Sequence, residues 1–239
     1  MALTDADIYE VTALLDRYVS AMVHKARYEH SLRTAQTAEN LCRRYGLPCE
    51  RGYFAGLTHD MCKDMNEEVI FLLAVQDNLP VSDLEAQKKS LLHGRAAATV
   101  LTKDFGVDDP DILESVRFHT FGSAGMGNLA KVLYIADKIE PGRPYSSPSY
   151  VSECMKKDLD DLLLSVAQEN VRYLKTQGKT LAPETADSLQ KFQPCGLAIF
   201  HKSHFCKFLQ VLFLQKPELI ESEERRVRKE CRSRWSPYH

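Results

Sequence analysis

The stretch Ala55-Gly-Leu-Thr-His59-Asp60 sets an imidazole beside a carboxylate. Both groups can enter one metal ion's coordination sphere when further ligands arrive from elsewhere in the chain. Alone, such a dipeptide is ordinarily a hydrogen-bonded core histidine next to an acid. Here it belongs to a series: His30 lies upstream in Arg27-Tyr-Glu-His30-Ser-Leu-Arg33, and His93, His119 and Asp137 lie downstream in Leu92-His93-Gly94, Arg117-Phe-His119-Thr120 and Tyr134-Ile-Ala-Asp137. Each sits among apolar neighbours, where imidazoles and carboxylates at this density are costly unless paired or bound to metal. Mixed imidazole and carboxylate donors suit transition metals better than magnesium, which prefers oxygen ligands and water.

The elements that must position these residues read as helices. Apolar residues at Ile8, Val11, Leu14, Leu15, Tyr18 and Met22 recur at three- and four-residue steps, the signature of one helical face. A second helix is expected from about Arg27 to Tyr45, stopped by Gly46 with Pro48 just beyond. On it Arg27 and His30 are three residues apart and share a face, so a guanidinium and a metal ligand can point into one pocket. Residues 49 to 64 are expected as a third helix, placing Asp60, Lys63 and Asp64 on one face, with Asp64 able to orient a water or hold Lys63. Further helices are expected over Asn66–Val81, from His93 to Phe105, over Asp111–His119, over Leu129–Ile139 until Pro141-Gly142 stops it, and over Tyr150–Thr176. The turn Thr180-Leu-Ala-Pro-Glu-Thr185 leads into a short one, with Pro183 tolerated in a first turn. With no convincing strand, repeat or low-complexity tract, the fold class is all-α.

The 239 residues suffice for one well-filled core plus an appendage. A formal net charge of −2 with 27% charged residues gives no basic surplus of the kind that binds nucleic acid or membranes. Met1–Glu10 has no basic and apolar leader pattern, and no apolar run reaches the roughly 18 residues of a membrane span. Seven cysteines without a CxxC pair fit a reducing compartment, so a cytoplasmic location is expected. A zinc site at Cys195, His201, His204 and Cys206 matches no usual ligand spacing.

As a set, the motifs around Arg27 and His30, His59-Asp60, His93-Gly94, His119-Thr120 and Asp137-Lys-Ile-Glu-Pro-Gly-Arg143 resemble those of the HD-domain phosphohydrolases. Within that family the chain is similar to the YqeK-type enzymes that split symmetrical dinucleoside tetraphosphates. The resemblance covers roughly residues 20 to 192. It implies a helical bundle over 1–192 with a metal centre between helices, leaving 193–239 as a C-terminal extension of unknown role. The extension's run Glu221-Ser-Glu-Glu-Arg-Arg-Val-Arg-Lys-Glu reads as a solvated helix face. A sharper reading makes it a helix that packs on a partner subunit in a homodimer.

The resemblance further implies a di-iron centre, although the ligand types alone leave iron, manganese, cobalt and zinc open. By position, His30, His59, Asp60 and Asp137 would hold one metal, and His93 and His119, with Asp60 bridging, a second. Such a centre acidifies a bound water and neutralises charge on the attacked phosphoryl group, with Asp60, Lys63 and Asp64 as the catalytic candidates. Arg27, Lys63 and Arg143 would hold phosphates, His93, His119 and Thr120 would also face the substrate, and the turn Lys179-Thr-Leu-Ala-Pro183 would contact base and ribose. The implied reaction cuts diadenosine tetraphosphate into two ADP molecules. A stringent-response hydrolase would show a Glu-Asp pair after the HD dipeptide, where this chain has Met61-Cys62-Lys63-Asp64, and a cyclic dinucleotide phosphodiesterase would carry a Gly-Tyr-Pro element that it lacks. A deoxynucleotide hydrolase and a non-catalytic nucleotide sensor remain as alternatives.

Overall fold

The computed structural model describes residues 5–123, 125–144 and 146–178. Among them are ten α-helices and no strand. In chain order these are α1 (Asp5–Met22), α2 (Lys25–Tyr45), α3 (Cys49–Thr58), α4 (Glu67–Ala74), α5 (Asp83–Gln87), α6 (His93–Phe105), α7 (Pro110–Phe118), α8 (Asn128–Ile139), α9 (Pro148–Cys154) and α10 (Leu159–Thr176). The all-α expectation holds.

Helices α6 and α8 form the interior, their buried stretches being mostly small or apolar with the polar groups among them paired. Every residue of α8 from Leu129 to Ile139 except Lys131 is buried, and so is α6 from His93 to Leu101. A helix that is apolar nearly all round has to be surrounded by others. Accordingly α2, α7 and α10 pack on α8, and α4 and α7 pack on α6.

Helices α2 and α3 cross unusually closely, and the sequence shows why. A Cβ on Gly56 would lie 2.5 Å from Ala35 Cα, and one on Gly52 would lie 2.5 Å from Cys42 Sγ. Small residues thus face small residues along the seam, which fixes the distance between His30 on α2 and His59 at the end of α3. As expected, α2 stops at Gly46, which takes the left-handed conformation (φ 67°) and donates its backbone N–H to Cys42.

Three expected boundaries differ. Helix α3 ends at Thr58 instead of continuing to 64: Thr58 Oγ1 donates to the Phe54 carbonyl and His59 Nδ1 lies 2.7 Å from the Gly56 carbonyl. Side chains that take over last-turn carbonyls compete with continuation of the helix. Residues 59–65 follow as successive tight turns, with Lys63 N–H donating to Asp60 and Met65 N–H to Cys62. The segment expected as one helix over Tyr150–Thr176 is split in two. Apolar periodicity runs on across the break, but Asp158 caps Asp161 N–H and Tyr45 Oη donates to the Lys157 carbonyl, which holds 155–158 as a turn. The single piece expected over 66–81 is α4 followed by a 3₁₀ turn at Val75–Asp77, and helix α5 and a second 3₁₀ turn at Lys89–Leu92 then lead to α6. The start of α5 carries a legible signal, the reciprocal capping box of Ser82 and Glu85.

No helix among the described residues is long and apolar enough to cross a membrane. Cys42, Cys49, Cys62 and Cys154 are free thiols. The turn over 179–183 with the short helix after it, the Cys195–Cys206 cluster and the extension over 193–239 lie outside the described residues.

The α2–α3 seam generates a prediction. Gly56→Val overpacks against backbone that cannot yield cheaply, so a loss of roughly 1–3 kcal/mol is expected. For a domain of this size that lowers the melting temperature by several degrees. An unchanged midpoint in calorimetry would show that the helices do not approach this closely.

Candidate metal centre

Four histidines converge from four helix ends or faces, and one hydrogen-bonding device orients three of them. His59 Nδ1 lies 2.7 Å from the Gly56 carbonyl, His119 Nδ1 2.7 Å from that of Val116, and His93 Nδ1 2.8 Å from that of Ser90. Each imidazole therefore donates to the backbone three residues earlier. His59 and His119 follow the last residues of α3 and α7, where carbonyls are left without helical partners, and His93 opens α6 on the preceding 3₁₀ turn. His30, on α2, has its Nδ1 3.1 Å from Glu140 Oε1. All four Nδ1 atoms are occupied in this way, and the Nε2 atoms point at one another.

Asp60 sits in the middle of these nitrogens. Its Oδ1 is 2.9 Å from His93 Nε2, 3.6 Å from His119 Nε2 and 3.8 Å from His59 Nε2, while Oδ2 accepts from Arg27 Nη1 at 3.0 Å. Two triads result, His30–His59–Asp60 and Asp60–His93–His119, each with donor atoms within 4.8 Å of one another. Asp137 belongs to neither triad but adjoins the first, with Oδ1 3.2 Å from His30 Nε2 and 3.7 Å from His59 Nε2. Its carboxylate is also bonded by Lys138 Nζ at 2.9 Å and by Arg143 Nη2.

The donor set fits a divalent metal. Burial holds His93 and His119 below the usual imidazole range and pushes His59 down to about 4, so these rings are neutral. With Nδ1–H committed to carbonyls, each presents a bare lone pair inward. Yet His93 and His119 Nε2 are 2.9 Å apart. Facing lone pairs at such a distance repel unless a cation sits among them. His30 shows the same demand in another form: burial pushes it down, but its bonds to Asp137 and Glu140 outweigh this and raise it to about 9, so it holds a proton where a metal ion could take its place.

The remaining expected site residues are distributed around a cavity of about 590 Å³ lined by Arg27, Asp60, Lys63, His93, His119, Thr120, Asp137 and Arg143 among others. The expected shared face of Asp60, Lys63 and Asp64 is absent, because the turns at 59–65 replace a helix there. Asp64 holds Arg27 Nε at 3.0 Å and accepts the His24 backbone N–H, whereas Lys63 Nζ turns the other way, 3.0 Å from His93 Nδ1. Arg27 thus supports the Asp60 carboxylate as well as facing the cavity. Lys179 and Pro183 fall outside the described residues.

Sequence reasoning passed over Glu140 and Lys138. Glu140 is buried, accepts from Arg33 Nε at 2.6 Å and from Gly142 N–H at 2.6 Å, and is pulled down to about 2 because His30 and Arg33 outweigh its burial. Its spacing of three from Asp137 was the available signal. Lys138 is buried against the Tyr134 ring, 4.0 Å from its centroid, and donates to the His119 carbonyl at 3.0 Å. Asn170, Tyr173 and Leu174 of α10 also line the cavity, which only tertiary placement reveals.

With this geometry in view, comparison with known proteins is informative. Residues 27–142 match the HD domain model, which spans the whole cluster from Arg27 to Gly142. The chain is 28% identical over 159 residues to a symmetrical bis(5'-nucleosyl)-tetraphosphatase of Halalkalibacterium halodurans, covering 66% of this chain and 84% of that protein. It is 29% identical over 167 residues to the protein of the same name in Bacillus subtilis, covering 70% and 89%. Among solved structures, that of a predicted HD superfamily hydrolase involved in NAD metabolism from Clostridium acetobutylicum superposes with a TM-score of 0.69 at 30% identity, covering 75% of this chain and 95% of that one.

Glu140 supplies a test of the site. Removing the acceptor that orients His30 in Glu140→Ala is expected to weaken Mn²⁺ binding about 10–100-fold in calorimetric titration, with the helical circular dichroism retained. Unaltered affinity would show that His30 is positioned without it.

Proposed function

The chain belongs to the HD-domain family, and from that premise we propose that it is a metal-dependent hydrolase of dinucleoside polyphosphates that cuts diadenosine tetraphosphate into two ADP molecules. The observation that carries the reading is the shared Asp60. One buried carboxylate lies between two imidazole sets, at the edge of a cavity that also presents Arg27, Lys63 and Arg143. The relatives named as symmetrical tetraphosphatases support the choice of substrate. We further propose iron as the native metal, with manganese or another transition metal as substitutes, since the donors are mixed nitrogen and oxygen.

When bound, the metal supplies an acidified water and Lewis-acid neutralisation of phosphoryl charge. The protein's own residues do the rest. Arg27 fixes Asp60 Oδ2 at 3.0 Å and leaves Oδ1 toward His93. The remaining Arg27 donors, the half-buried Lys63 ammonium and Arg143 bind phosphate oxygens in the cavity. A guanidinium suits this because its planar fork can serve a carboxylate and a phosphate together. If these cations hold one nucleoside diphosphate half, the next phosphorus lies against the ligand cluster, and hydrolysis falls at the middle of the tetraphosphate.

Chromatography of the products after incubation with Fe²⁺ or Mn²⁺ tests this reading. ADP as the sole nucleotide product is expected, ATP plus AMP would overturn the register, and turnover of deoxynucleotides alone would replace the substrate class. Arg27→Ala should lower kcat/KM about 10–100-fold, equivalent to the roughly 1.5–3 kcal/mol of a charge-assisted hydrogen bond. Unchanged kinetics would remove Arg27 from the phosphate site.

A further inference from the structure

We propose that Lys88 grips the distal phosphates of a long polyphosphate, so that the protein reads polyphosphate length at a cavity residue outside its set of metal ligands. This rests on the polyphosphate reading of the cavity. On the ligand wall Arg27 is hydrogen-bonded to Asp60 and Asp64, Arg143 to Asp137, and Lys138 to Asp137. These three cations are matched by carboxylates the site already needs, and Lys63 lies against the Ser90 carbonyl and His93. Each additional phosphoryl unit of a substrate adds negative charge that this wall does not balance.

The segment 75–92, which leads into His93, presents Leu84, Lys88 and Leu91 to the same cavity. Lys88 is exposed, and among the described residues no carboxylate lies within ion-pair distance of its ammonium. Its backbone, by contrast, is firmly placed. The buried Arg95 clamps the segment by bonding both Asp77 oxygens at 2.7 and 2.9 Å and the Leu79 and Pro80 carbonyls at 2.9 Å each. The Ser82–Glu85 capping box then starts α5, and Lys88 closes it with its N–H on the Leu84 carbonyl at 2.9 Å and its own carbonyl accepting from Leu91 at 3.0 Å. An exposed cation with no carboxylate partner among the described residues, carried on a fixed backbone beside an anion-binding cavity, is available to a phosphate.

The test compares the full-length wild type with Lys88→Gln and Lys88→Glu. In calorimetry with inorganic tetrapolyphosphate and with pyrophosphate, Lys88→Gln should weaken tetrapolyphosphate about tenfold and Lys88→Glu more, while pyrophosphate binding stays within about twofold. With diadenosine tetraphosphate the same variants should raise KM about tenfold and leave kcat nearly unchanged. Equal weakening of both anions, no change in either, or a wild type that binds neither would overturn the proposal. A wild type that binds tetrapolyphosphate in a Lys88-dependent way but does not cleave diadenosine tetraphosphate would overturn the hydrolase reading and leave Lys88 in place.

Discussion

The Asp60 carboxylate is the group on which the rest of the arrangement depends. It is buried, and an ionised carboxylate out of water costs several kcal/mol unless cations and donors surround it. Here it is met by groups from distant parts of the chain, His93 from the start of α6, His119 from the end of α7 and Arg27 from α2, beside its own neighbour His59 at the end of α3. Four elements are thereby tied to one anion. The close α2–α3 seam and the buried α6 and α8 follow as the packing that keeps those elements in reach.

A shell of secondary contacts translates backbone geometry into ligand geometry. Three histidines are aimed by carbonyls three residues behind them, so the ring direction is set wherever the helix or turn ends. His30, in mid-helix, has no free carbonyl to use, and Glu140 serves instead, itself fixed by Arg33 and by the Gly142 N–H. That difference explains why a buried glutamate is needed at this corner and nowhere else in the cluster.

Much of this was legible in the sequence. The all-α class, the ends of α1, α2 and α8, the span of α6 and the order of the histidines follow from periodicity, Gly46 and Pro141-Gly142. What local pattern does not contain is competition from outside the segment. Nothing in residues 49 to 64 says that the His59 and Thr58 side chains will take the last carbonyls of α3, and apolar spacing runs on across 155–158 although Tyr45 and Asp158 make a turn there. The same limit hid the contribution of α10 to the cavity and the role of Arg95 in clamping residues 75–92. Asp64 illustrates the consequence for function: read on a helix it faces Lys63, and on the actual turns it faces Arg27.

The central claim is that Asp60 lies between two metal positions. Crystals grown with Mn²⁺ and measured at the manganese absorption edge test it most directly. The account predicts two anomalous peaks, one beside His30 and His59 and one beside His93 and His119, each about 2.0–2.2 Å from an Asp60 oxygen. A single peak, or metal bound away from Asp60, would contradict it.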